Sequence, residues 1–420
     1  MPVLRIVFTA LIAACSLAAP ASAKVLYHWV ELGDGETATV RAITDGGCPD
    51  IRFDGSPVPM TVRAAQARRF GNVSSAAFPV TACERRIPSD TKTATIDGDM
   101  LALPHADIRR IVVFGDTGCR IAKRERVQAC NDPRAWPFPE IARRAAVSHP
   151  DLVIHVGDYL NREEPCPAGN SGCAGTPYGF GWNTWDVDFF SPADPLLRAA
   201  PWVLVRGNHE DCNRAAEGWF RFLDRAPMEE VCRDLSGIFV SRVGNFGIVN
   251  VDAAKVADGM KNSKEAVQTL HRQFESVRQS IPDEAWLISH RPFDAVRPDN
   301  GVNSVENHLQ SEALGGLIPP GVRMLIAGHI HFFQAVDFGG KAPPQLVVGT
   351  GGDNLTPIPP MSLAGSQING KRVTSASAYS GFAYMVWDRA EDGWTGTLFG
   401  FDGSALDNCR LTATSLICNH

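Results

Sequence analysis

Seven short apolar runs between residues 108 and 352 constrain this chain more than any other feature: "IRRIVVFGD", "DLVIHVGD", "WVLVRGNHE", "FGIVNVD", "AWLISH", "RMLIAGH" and "QLVVGTGG". Runs of this length without polar alternation are strands buried on both faces, the signature of a largely parallel sheet covered by helices. The stretch "SKEAVQTLHRQFESVRQSI" supplies a helix, with Val267, Leu270, Phe274 and Val277 along one stripe. Strands alternating with helices give an α/β fold, and in such folds the C-terminal strand ends open onto one crevice. Five of the runs end on groups that can bind a ligand: Asp116; Asp158; Asn208 and His209; His290; His329 and His331. The topology is therefore expected to gather two carboxylates, one amide and four imidazoles.

Glycine precedes these groups in "GD", "GD", "GNH" and "GH", where it allows sharp backbone turns toward a bound group. Mixed Asp, Asn and His donors suit Zn, Mn or Fe better than Ca. They are too many for one tetrahedral ion and fit two divalent ions sharing a carboxylate, an arrangement used for phosphoester hydrolysis.

The set "GDTG", "GDYLN", "GNHE", "SH" and "GHIH" resembles the calcineurin-like metallophosphoesterase superfamily. With Gly118 in the first motif, it is most similar to the purple acid phosphatase branch. The resemblance covers residues 108 to about 352 and implies a four-layer αββα sandwich, preceded by a small N-terminal β-sandwich. It further implies that Asp116 and His331 hold one metal, that Asp158 bridges both, and that Asn208, His290 and His329 hold the second. His209 would face the phosphate-ester substrate as general acid or phosphate-binding group. One position departs from the branch. Its members carry Tyr three residues after the bridging Asp, where this chain has Asn161. Tyr159 is expected to leave the opposite side of the chain. The first metal is then completed by Asn161 or by water, and a ferric, purple centre is not expected.

The remaining sequence sets the context. Residues 1–23, "MPVLRIVFTALIAACSLAAPASA", read as a secretory signal cleaved after Ala23, with a lipoprotein anchor at Cys15 as the alternative. A secreted or periplasmic location follows. The other ten cysteines are even in number and fall as sequence neighbours, which favours five disulfides. Residues 24–105 hold short β-type runs and form the N-terminal β domain, with 106–420 as the phosphoesterase domain. Residues 161–195 read as a long loop tied by Cys166 and Cys173, in which Trp182, Trp185 and Tyr178 either line a substrate mouth or pack. "FAYMVWDRA" and "WTGTLFGFD" read as a hairpin, and "GTGGDN" at 349–354 as a turn leading away from the sheet. Arg206 and Glu210 are supporting or plain surface groups, and His155 is a core residue. Net charge is −6 with no basic run, which argues against nucleic acid as the main partner, and no later apolar run is long enough to span a bilayer. Oligomeric state is not indicated. Two rival readings are a binding protein on the same fold and a metallohydrolase of other esters.

Overall fold

A computed structural model describes residues 23–66, 77–123, 125–228, 231–256, 264–299, 302–305, 308–358, 363–413 and 415–419. The signal segment with Cys15 lies outside them, apart from its last residue. All seven apolar runs are strands, and they divide between two sheets. In an 11-stranded sheet Arg110–Phe114, Leu152–His155 and Trp202–Leu204 lie side by side and parallel. In a 7-stranded sheet Phe246–Val251, Glu284–Ser289, Val322–Ala327 and Gln345–Val348 are likewise parallel neighbours.

Alternation along these strands builds the layers. Ile111, Val113, Ile154 and Val203 face Ile248, Trp286, Ile288, Met324 and Ile326 in a core between the two sheets. Val112, Phe114, Val153, Trp202 and Leu204 point outward onto Phe138, Ile141, Phe189 and Leu196. Val249, Val251, Ala285 and Leu287 point outward from the other sheet onto Leu270 and Phe274 of the helix Lys264–Val277. Helix, sheet, sheet and helix are thus stacked as an αββα sandwich. Trp286, Trp387 and Trp394 meet edge to face in the central layer, with Trp286 5.2 Å from Trp394 between ring centroids.

The strand-rich N-terminal residues contribute to the larger sheet: Val25–Leu32 pairs in parallel with Trp202–Leu204 through Glu31 and Trp202. A separate 4-stranded sheet that includes Asp50–Phe53 and Ala94–Ile96 packs Ile51, Phe53 and Ile96 against Val30 and Val40. The C-terminal hairpin of Ala383–Ala390 and Gly393–Gly400 joins the larger sheet by antiparallel pairing with Arg110–Phe114, and Ala405–Leu411 and Leu416–Asn419 continue it to the edge.

The stretch read as a loop over 161–195 is only partly one. Trp182–Trp185, Asp186–Phe190 and Ser191–Leu197 form consecutive helical turns with a π segment in the middle. The Gly- and Pro-rich start conceals a stripe of Trp182, Trp185, Phe189 and Phe190, all buried. Packing of that stripe overrides the poor local helix propensity.

The five expected disulfides are all formed, Cys48–Cys83, Cys119–Cys130, Cys166–Cys173, Cys212–Cys232 and Cys409–Cys418. Cys212–Cys232 closes the segment that follows the "GNHE" motif, with a sequence separation of 20. Replacing both cysteines by Ser should lower stability by about 3 kcal/mol on loop-closure grounds. A denaturant midpoint unchanged from that of the wild type would show that this bridge does not constrain the unfolded chain.

Candidate metal centre

The register of the strands brings the polar motifs to one height. Phe114, His155 and Leu204 are direct neighbours across the larger sheet, and Asp116, Asp158 and Asn208 follow within four residues of these. In the other sheet Ile288 pairs with Ile326 and Ala327 with Val347, so His290, His329 and the "GTGGDN" stretch emerge together. The two sets face each other across the seam between the sheets. His329 N–H donates to both oxygens of Asp116 at 3.0 Å, and Asp353 N–H donates to the Asp116 carbonyl at 2.9 Å.

Asp116, Asp158 and His331 bring ligand atoms within 4.8 Å of one another, and so do Asp158, His290 and His329. Asp158 belongs to both groups. Asn208 Oδ1 lies 3.0 Å from His290 Nε2, which is itself 3.1 Å from Asp158 Oδ2. His331 Nε2 lies 3.3 Å from Asp116 Oδ1. The remaining ring nitrogens are held by backbone carbonyls: His290 Nδ1 donates to Val156 O at 2.8 Å and His331 Nδ1 to Asn354 O at 2.9 Å. This fixes the tautomers and turns Nε2 of each ring toward the carboxylates, as metal-binding histidines are oriented. Both carboxylates are buried, Asp116 to 0% and Asp158 to 3% exposure. The donor set therefore fits two cations.

Electrostatics follow from the crowding. Burial opposes the charge of Asp158, but His209 and His290 outweigh it and hold the carboxyl well below the ordinary range. Burial likewise opposes the charge of His290, but Asp158 raises it to about 9. For Asp116 burial wins over His331 and the pKa rises. Glu210 is pushed up to about 7 by burial and then by Asp158.

Three of the site's own residues carry backbone strain. Asp116, Asp158 and His329 have φ of 57°, 59° and 68°, a region disfavoured for side chains other than Gly. The preceding glycines serve mainly close approach. A Cβ on Gly207 would sit 2.2 Å from Asp158 Oδ1, and one on Gly157 (φ 102°) would sit 2.5 Å from His290 Nδ1. Glu210 holds the strained turn by accepting N–H groups from Gly207, Asp158, Tyr159 and Leu160 at 2.9–3.3 Å. Arg206, equally buried, donates to the Glu210 carbonyl at 2.8 Å.

His209 stands beside this pair. Its N–H donates to Asp158 Oδ1 at 2.9 Å, and its Nδ1 lies 3.3 Å from Glu163. Arg214 approaches both ring nitrogens, at 2.7 and 3.0 Å. Tyr159 is buried away from the site; its hydroxyl donates to Val205 O at 3.0 Å and its ring stacks on His155 at 4.0 Å. His155 is itself a core residue bonded to Thr117 and to Gly157 N–H.

Four groups escaped the sequence reading: Asp353, Arg120, Glu163 and Arg214. "GTGGDN" leaves the sheet after Val348, as expected, but the turn carries Asp353 to the site. Asp353 receives Arg120 at 2.8 and 2.9 Å and Asn161 Nδ2 at 2.5 Å. The available signal was another strand end, "QLVV", followed by glycines and Asp.

A model of the calcineurin-like phosphoesterase family matches residues 109–333, more than half of the chain. The chain belongs to that family. It is accordingly a metal-dependent phosphoester hydrolase. No curated protein matches it by sequence. Among solved structures, a purple acid phosphatase, PPD1, from yellow lupin (Lupinus luteus) seeds is 14% identical, with a TM-score of 0.62 over 92% of this chain and 74% of that one. PhoD is 10% identical, with a TM-score of 0.53 over 94% of this chain and 92% of that one. These likenesses are of fold.

In this phosphoesterase Asp158→Ala should strip both ions, whereas Asp116→Ala and His290→Ala should each strip one. Elemental analysis after gel filtration reads the difference. Two ions retained by Asp158→Ala would show that the carboxylate is not shared.

Proposed function

We propose that the chain is an exported two-metal phosphoesterase. Asp116 and His331 hold one divalent ion, Asn208, His290 and His329 the other, and Asp158 both. The membership of Asp158 in both ligand groups carries this reading. When bound, such a pair of ions supplies Lewis-acid polarisation of the phosphoryl group and a water acidic enough to act as nucleophile. The mixed nitrogen and oxygen donors favour Zn, Mn or Fe(II). Tyr159, turned into the core, offers no phenolate to stabilise a ferric ion. Export is supported by the five disulfides, which persist in oxidising compartments.

The protein's own part in the chemistry falls to His209. Its backbone N–H on Asp158 Oδ1 places the ring beside the shared carboxylate, on the seam where the ester must lie. With Glu163 3.3 Å from Nδ1, Nε2 is the nitrogen to deliver a proton to the leaving oxygen, once the incoming ester takes the place of the Arg214 Nη2 that lies 3.0 Å from it. Arg214, ion-paired with Glu163, fixes the same ring and adds positive charge beside it.

Assaying phosphomonoesters, phosphodiesters and carboxyl esters tests the reaction class. His209→Ala should keep its ions and lose rate by roughly 10²–10⁴ on alkyl phosphates. The loss should shrink on nitrophenyl phosphates, whose leaving groups need no proton. Equal losses on both would remove the acid role and leave His209 as a phosphate-binding group.

A further inference from the structure

Asn161 ends the "GDYLN" motif and is 1% exposed. Its backbone N–H donates to Asp188 at 2.9 Å and its side-chain Nδ2 to Asp353 Oδ2 at 2.5 Å. Its Oδ1 is buried and, among the described residues, meets no donor. A buried amide oxygen left unpaired is unfavourable, so this atom calls for a partner. The amide cannot simply be turned over, because only the NH₂ end can donate to a carboxylate that Arg120 already grips on both oxygens.

Three sets of contacts place the Asn161 side chain beside the Asp116 and His331 group. Asp353 Oδ2, which accepts from Asn161 Nδ2, also lies 3.7 Å from His331 Nε2, and His331 Nε2 lies 3.3 Å from Asp116 Oδ1. A Cβ on Gly118 would come within 3.0 Å of Asn161 Cβ, so Asn161 fills the space that a side chain two residues after Asp116 would need. Arg120 Nη2 packs 3.2 Å from His331 Nδ1, which donates to Asn354 O, so the Arg120–Asp353 pair lies beside both Asn161 and His331. Asn161 is therefore packed against the Asp116 turn with one donor-accepting atom unused.

We propose that Asn161 Oδ1 is a neutral ligand of the ion held by Asp116, Asp158 and His331, and that the Arg120–Asp353 pair is the device that aims it. The proposal rests on the two-ion reading above. A neutral oxygen adds no charge, so this position favours a divalent ion over a trivalent one. Asp353 acts as a positioning residue: bound on both oxygens by Arg120, its carboxylate fixes the amide plane.

The test uses the full mature chain, stripped with chelator and titrated with cobalt(II), following ion content, the visible d–d spectrum and the melting temperature. The wild type should take up two ions. Asn161→Ala should bind one of them 10–100-fold more weakly, with the spectrum of the weakened ion changed and that of the other preserved. His290→Ala, which disables the other group, identifies which ion remains. Asn161→Asp keeps an oxygen at the position, though not the donor to Asp353, and should recover part of the affinity that Asn161→Ala loses, which separates ligation from a folding defect. Melting in chelator shows whether each variant is folded before metal is added. Two ions in Asn161→Ala with wild-type affinity and spectrum would overturn the proposal and leave the two-ion reading standing; a buried water would then be the partner of Oδ1. A wild-type chain that binds no ion would overturn both.

Discussion

Two buried carboxylates in one small space are the constraint from which the rest of this centre follows. Asp116 and Asp158 lie at the seam between two sheets, in a group whose ligand atoms are all within 4.8 Å. Like charges so placed cannot stay ionised without cationic compensation. The protein supplies part of it through His290 beside Asp158 and through the N–H of His329 on Asp116. Two divalent ions would supply the remainder, and the imidazoles are already held by Val156 O and Asn354 O with Nε2 turned toward them.

Holding those carboxylates demands an unusual backbone. Asp116, Asp158 and His329 themselves have left-handed φ. Each such conformation costs on the order of 1–3 kcal/mol, which the surroundings must offset. Glu210 does so for the Asp158 turn by collecting four backbone N–H groups. The glycines before these residues leave room for the opposing side chains: a Cβ on Gly328 would sit 2.2 Å from Asp116 Oδ2. The repeated Gly-polar pairs are thus a consequence of several chain turns being forced into one small volume.

Much of this was legible beforehand because each feature is local. Apolar runs without alternation gave the strands, and their parallel arrangement makes their C-terminal ends converge. The helix Lys264–Val277 announced itself by Leu270 and Phe274 at helical spacing. What was missed depends on partners distant in sequence. Asp353 was missed because its glycine-rich stretch reads as a plain turn, yet its role comes from Arg120, 233 residues away. Glu163 and Arg214 acquire meaning only once they flank His209. The helical turns from Trp182 to Leu197 are stabilised by aromatic packing that local propensity does not register.

Magnetic coupling between two bound ions tests the shared carboxylate most directly. The mature chain, stripped and reloaded with two equivalents of manganese(II), should give the broad electron paramagnetic resonance spectrum of an exchange-coupled pair. One equivalent should give a partial population of that signal or a single-ion spectrum that the second equivalent converts. A simple six-line spectrum that grows in proportion up to two equivalents would mean that the ions are isolated from one another, and that Asp158 does not join them.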